Sequence, residues 1–225
     1  MSAFPFIDIH THRFVLANDI LAVQNTFAAD IPGMSKSNDR YFSVGLHPWH
    51  INTSNPDPDI RLVEDVSPNP QILAIGEAGL DKLYDVDFDL QKQVFTRQLE
   101  IATKAGKPMI IHCVKAFPEI VSLYLESKSK TTLIFHGFNN NLQIAGSLLK
   151  HGFYLSFGHA LLHEKSNAYR LFSQIPDDRF FLETDDSGNC IEEIYAEAAR
   201  ISGRSILDLK KTVLQNFENC FKINL

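Results

Sequence analysis

Six residues of this 225-residue chain have the types and the spacing to hold metal ions: His10, His12, Glu77, His112, His136 and Asp185. Each ends or follows a short apolar run, and none precedes one. His10 and His12 stand two apart on an extended segment. Side chains at i and i+2 share a face, so both imidazoles can grip one ion. Imidazole nitrogen and carboxylate oxygen suit Zn²⁺, Mn²⁺ and similar ions. Paired ions of this kind activate water and offset charge at a reacting phosphoryl group. One His-x-His pair is read equally well as two surface histidines. Six such residues, all at the ends of apolar runs, are not.

Other residues carry weaker readings. Lys115, just past His112, is a cation placed to meet phosphate, or a solvated loop lysine. Asp81 orients Glu77 or a nearby loop, or plays a purely structural role. Glu183 is turned away from its strand neighbours and orients a ligand from behind. Asp186 competes with Asp185. His159 follows an apolar run but is not assigned as a ligand, and His50, His151 and His163 have no assigned role. Phe14, Trp49 and Phe138 stack a base or simply pack.

The elements that position these residues are eight short β-rich runs: Phe6–His10, Ile20–Phe27, Tyr41–Leu46, Ile72–Gly76, Pro108–His112, Thr132–His136, Phe153–Phe157 and Arg179–Glu183. They lack strict alternation, as strands of a parallel sheet buried on both faces do. Helical periodicity lies between the later runs, at Leu90–Ala105, Phe117–Ser127 and Asn141–Lys150, with Gly106 and Gly152 as stops. Two further helices follow, Ile191–Ile201 and Ser205–Phe221, the second capped by Ser205 with Asp208 three residues on. Strands alternating with helices predict an α/β fold, a (β/α)8 barrel of the TIM type in one domain over 1–225, with the ligands at its C-terminal mouth. Its early part is predicted to be distorted, with shortened or missing helices. Only a turn of helix fits between the first two strands. About a dozen Pro-, Gly-, Ser- and Asn-rich residues separate the second from the third. Asn52–Asp59 reads as a loop.

The ordered stretches Ile-Asp-Ile-His-Thr-His (7–12), Val-Gly-Leu-His-Pro (44–48), Ala-Ile-Gly-Glu-Ala-Gly-Leu-Asp (74–81), Ile-Ile-His-Cys (110–113), Phe-His-Gly-Phe (135–138) and Leu-Glu-Thr-Asp (182–185) span nearly the whole chain. In these it resembles the TatD family of metal-dependent deoxyribonucleases, within the amidohydrolase-like barrels. The resemblance implies two divalent ions (Zn²⁺, Mn²⁺ or Mg²⁺). His10, His12 and Asp185 would hold one, His112 and His136 the other, and Glu77 would bridge them. Asp185 and Glu77 would be catalytic, with Asp185 taking a proton from water, and His47 would contact substrate phosphate. Two departures stand out. The family's Arg after the strand-five histidine is replaced by Val114-Lys115. Its Arg-Asn-x-Pro stretch is missing after Asp185. Both remove phosphate-facing groups.

The expected activity is therefore hydrolysis of phosphodiester bonds in DNA, single-stranded or at ends. The alternative is hydrolysis of a small ester, amide or phosphoester at the same site, and a third reading is a metal-stabilised scaffold without turnover. The net charge of −6 gives no global attraction to nucleic acid, though bound ions supply local positive charge. Three cysteines, Cys113, Cys190 and Cys220, match no zinc spacing and are read as reduced thiols, with Cys113 near the site. With no signal-like N-terminus and no apolar run long enough to span a bilayer, the expected location is cytoplasmic. Oligomeric state is left open.

Overall fold

Ile72–Asp81 is buried at every one of its ten positions. That burial is what a strand with both faces covered requires. The computed structural model describes residues 4–15, 17–27 and 40–223. Its strands are β1 (Phe6–Thr11), β2 (Ile20–Phe27), β3 (Tyr41–Gly45), β4 (Ile72–Asp81), β5 (Met109–Val114), β6 (Leu133–Phe135), β7 (Tyr154–Phe157) and β8 (Phe180–Leu182). They follow one another in chain order in one eight-stranded sheet. The pairing is parallel, with Phe6 opposite Ile20, Ile75 opposite Met109 and Leu155 opposite Phe180. The helices are α1 (Asp57–Val66), α2 (Phe88–Ala105), α3 (Phe117–Ser127), α4 (Leu142–Lys150), α5 (Asn167–Leu171), α6 (Ile191–Ser202) and α7 (Ile206–Phe221). This is the (β/α)8 fold class.

Local chemistry sets the helix ends. The Asp87 carboxylate accepts from Leu90 N at 2.8 Å to start α2, which stops at Gly106 in the left-handed region, φ 67°. Asn141 caps α4 through Ile144 N at 2.9 Å. Ser205 caps α7 through Asp208 N at 3.1 Å, while its hydroxyl donates to the Asp208 carboxylate at 2.6 Å.

By internal packing the chain forms two units, Met1–Gln24 with Phe135–Leu225, and Asn25–Ile134. In the first, β1 is tied to α6 by a buried tyrosine: Tyr195 Oη accepts from Ile7 N at 3.1 Å and donates to Ile7 O at 3.2 Å. In the second, two buried glutamines of α2 grip the backbone. Gln98 accepts from Leu46 N at 2.7 Å and donates to Leu46 O at 3.0 Å. Gln91 does the same for Asp81, at 2.8 and 3.0 Å. Each carboxamide mimics a neighbouring peptide group, so buried N–H and C=O groups beyond the ladder stay paired.

Three readings of the sequence change. Asn52–Asp59 is not all loop, because α1 begins at Asp57. Pro58 sits in its first turn, Asp57 and Asp59 meet the positive end of its dipole, and Ile60 and Val63 are buried one turn apart. β4 runs past Gly76 to Asp81, which places Glu77 inside a strand rather than after one. Likewise His112 lies inside β5. Among the described residues no helix joins β1 to β2. The segment expected to lack helix between β2 and β3 falls mostly on 28–39, outside the described residues.

β4 carries glycine because β5 lies against it. A Cβ on Gly79 would stand 1.8 Å from the carbonyl oxygen of His112. Gly79→Ala is expected to lose about 3 kcal/mol or more. Urea unfolding checks it, and a midpoint within error of the parent would contradict the packing.

Candidate metal centre

In the first unit, the residues after β8 return to β1. Asp185 N donates to His10 O at 2.9 Å, and His12 N donates to Asp185 O at 3.2 Å. These bonds fix all three backbones before any side chain is considered. Asp185 adopts φ 54°, a left-handed conformation that aspartate tolerates better than most residues. Its Oδ1 then lies 3.5 Å from His10 Nε2 and 3.4 Å from His12 Nε2. His136 joins from the end of β6, its ring 4.4 Å from that of His10. Ligand atoms of His10, His136 and Asp185 all fall within 4.8 Å of one another.

Support comes from behind. Glu183 is fully buried, accepts from Gly137 N at 2.6 Å and stands 3.6 Å from His136 Nδ1. Its carboxylate thus stands behind the His136 ring, on the side where an orienting residue was expected. Thr184 donates its amide to Asp8 Oδ1 at 3.0 Å and its hydroxyl to Asp8 Oδ2 at 2.6 Å. Burial nonetheless pushes the Asp8 carboxyl up to about 7. Burial also pushes the Asp185 carboxyl up, but the His10 and His12 ring nitrogens, with the charge of His136, outweigh it. Asp185 is held well below the usual carboxylate range, so it is an anion at neutral pH.

In the second unit, Glu77 is the focus. Its Oε1 lies 3.1 Å from His47 Nε2 and 2.9 Å from His112 Nδ1, and the carboxylate is buried. Ligand atoms of these three also lie within 4.8 Å of one another. The two histidines are not equivalent. His47 Nδ1 accepts from Trp49 N at 3.2 Å, so its proton sits on Nε2 and is donated to Glu77. In that tautomer His47 Nε2 donates to Glu77 rather than presenting a lone pair. Burial lowers its pKa despite Glu77, which keeps the ring neutral. On the other side of His112, Asp81 Oδ2 lies 3.4 Å from its Nε2 and accepts from Trp49 Nε1 at 2.8 Å. Asp81 therefore orients His112 and Trp49 rather than Glu77.

The donor sets fit divalent ions. Two atoms bound at about 2.1 Å to one ion stand about 3.0 Å apart at a right angle and about 3.4 Å apart at the tetrahedral angle. The Asp185 pairs, at 3.5 and 3.4 Å, match the second value. The Glu77–His112 pair, at 2.9 Å, matches the first. Cys113 is no competitor, because burial pushes its thiol up to about 12.

A family model described as TatD related DNase matches residues 22–222. The chain belongs to the TatD family. It is a metal-dependent hydrolase of that family. It is 26% identical over 200 residues to the Bacillus subtilis protein named "Uncharacterized metal-dependent hydrolase YabD", covering 82% of this chain and 78% of that one. It is 31% identical over 149 residues to the Cronobacter turicensis "3'-5' ssDNA/RNA exonuclease TatD", covering 64% of this chain and 56% of that protein. The crystal structure of YJJV, a TatD homologue from Escherichia coli, superposes with a TM-score of 0.84 at 19% identity, over 97% of this chain and 98% of that one, and shows the fold.

The TatD chain brings His10, His12, His136 and Asp185 together in one unit, and His47, Glu77 and His112 in the other. Placing His136 beside His10 and Asp185 is a grouping that the resemblance did not imply. Lys115 is exposed with φ 55°, and Asp186 is exposed beyond the cluster. Phe138 is a core residue, 2% exposed, against Phe157, so it stacks no base. Phe14 and Trp49 are exposed, and Trp49 stacks on Tyr84 with ring centroids 5.4 Å apart. Arg13, Tyr84 and Asn189 went unread in the sequence. Arg13 donates to the Asn189 carbonyl and, with Phe14 and Thr184, lines a cavity of about 270 Å³. Its position one residue past His12 is the signal that pointed to it. Among the described residues no helix is long and apolar enough to cross a membrane. All three cysteines are free.

Proposed function

We propose that this chain hydrolyses phosphodiester bonds in DNA, single-stranded or at ends, with two divalent ions. One would be held by His10, His12 and Asp185 with His136, the other by Glu77 and His112. The observation that carries the reading is the pair of contacts from Asp185 Oδ1 to two imidazoles whose backbones it also holds. The names of relatives, a "Putative deoxyribonuclease TATDN1 homolog" and a "3'-5' ssDNA/RNA exonuclease TatD", support the substrate class. When bound, the ions activate water at neutral pH and offset charge on phosphoryl oxygens. Asp185, partly exposed beside His10 and His12, would be the carboxylate placed to take the proton that attacking water gives up. His47 holds Glu77 in place, and Asp81 holds His112. Arg13 and Phe14, beside one another at the cavity, suit a phosphate and a base. The free thiols favour a cytoplasmic setting.

The short Asp185–Cys190 turn before α6 favours a second reading, turnover of small phosphoesters, because it leaves no room for the family's Arg-Asn-x-Pro stretch. One experiment separates them. The chain is stripped with a chelator, reloaded with Mn²⁺, Mg²⁺ or Zn²⁺, and assayed on a labelled single-stranded oligonucleotide and on small phosphoesters. Activity is expected to vanish on chelation and return on reloading, with oligonucleotide cleavage. Cleavage that survives complete stripping would contradict the metal roles. Turnover of small esters alone would establish the second reading.

A further inference from the structure

The first unit carries a second histidine cluster, remote in sequence from the ligands above. His159 opens the 3-10 turn His159–Leu162 after β7, and His163 follows that turn. Their Nε2 atoms face each other at 2.8 Å, with the rings crossed at 77°. Both rings are exposed. We propose that this pair is a separate site for a divalent transition ion of tetragonal preference, Ni²⁺ or Cu²⁺.

Three observations carry it. The first is the spacing. Two nitrogens bound at about 2.0 Å and at a right angle to one ion stand about 2.8 Å apart, whereas tetrahedral ligands stand about 3.3 Å apart. The 2.8 Å between the two nitrogens, which a hydrogen bond holds, is also the spacing of the right-angled case, and nitrogen ligands in that geometry favour Cu²⁺ and Ni²⁺ over Zn²⁺.

The second is the relay behind His159. Its Nδ1 lies 2.8 Å from Asn189 Oδ1. The Asn189 amide nitrogen donates to Glu193 Oε2 at 2.9 Å, which fixes which end of the amide faces the ring. Asn189 Oδ1 only accepts, so the His159 proton is on Nδ1 and its Nε2 presents a bare lone pair to His163. A ring N–H donated to a fixed carbonyl oxygen is the support that ion-binding histidines use. His163 then donates Nε2–H to His159. To bind an ion it only has to move that proton to Nδ1, and the ring stays neutral.

The third is a backbone already fixed. Leu161 N donates to Gly158 O at 2.9 Å, His163 N to Ala160 O at 3.3 Å, and Ser166 N to His163 O at 2.8 Å. The Ser166 hydroxyl donates to Ala160 O at 2.6 Å. Little is left to order when the ion arrives. An ion there would also clamp the turn that holds Asn189, whose carbonyl Arg13 grips.

The test is equilibrium dialysis of the full chain against Ni²⁺, with bound nickel counted by elemental analysis. Two variants are compared with the parent: His163→Ala, which removes one ligand from an exposed position, and His151→Ala, which removes an exposed histidine outside the cluster. His163→Ala is expected to bind one nickel fewer per chain, and His151→Ala the same number as the parent. The difference is read against the parent, so it stands whatever number of ions the other ligands hold. Equal counts in all three proteins overturn the proposal, as does an equal drop in both variants. A loss of more than one nickel in His163→Ala also overturns it, because the pair would not then be a separate site.

Discussion

Asp185→Asn yields a folded protein whose kcat/KM is lower by about 10³-fold, a loss of about 4 kcal/mol of transition-state stabilisation. The fold survives because asparagine is the other residue that readily takes φ 54°. The two main-chain bonds to His10 and His12 do not involve the side chain. What is lost is the negative charge that His10 and His12 address together at 3.5 and 3.4 Å. Metal content should fall with activity, because a neutral amide oxygen is a poorer ligand beside two imidazoles. The checks are steady-state rates, elemental analysis and thermal unfolding on one preparation. A variant within tenfold of the parent rate, with full metal, would remove Asp185 from the chemistry.

Glu77→Gln is expected to lose activity by a similar factor, about 10³-fold, and to bind less metal. His47→Ala is expected to lose about 10- to 100-fold, the usual effect of removing a residue that only orients a ligand. The difference follows from the tautomer. Glu77 Oε1 faces both His47 Nε2 and His112 Nδ1, and His47 Nε2 carries the proton that it donates to Glu77. Glutamine keeps the volume but replaces a charged acceptor by a neutral one in a buried place. His47→Ala leaves the carboxylate and His112 intact. Parallel rate and metal measurements decide it. Equal losses in the two variants would mean that His47 is itself a ligand.

Much of this was legible before any coordinates. β2 (Ile20–Phe27) and α3 (Phe117–Ser127) have the bounds that their apolar runs gave. The caps at Asn141 and Ser205 act as their residue types suggest. Local patterns determine such features. β4 was cut short at Gly76 because glycine reads as a stop. Its glycines are there because the backbone of β5 leaves no space for a Cβ, and a distant strand is invisible to local reading. α1 was hidden by the Pro and Asp residues that start it. At the site, ligand types were visible as strand-end residues, but the role of His47 was not. That role depends on one hydrogen bond from the Trp49 backbone. Arg13, Asn189 and the His159–His163 pair meet only through folding.

The main-chain bonds between Asp185 and the His10–His12 strand have a consequence during synthesis. His10 and His12 leave the ribosome well before Asp185, which lies beyond β8 in the chain. A nascent or truncated chain that stops short of β8 therefore lacks the Asp185 carboxylate that both imidazoles face, and β1 lacks the partner that Thr11 finds in Asp185. Hydrolytic competence is thus expected only once β8 and Asp185 have been made.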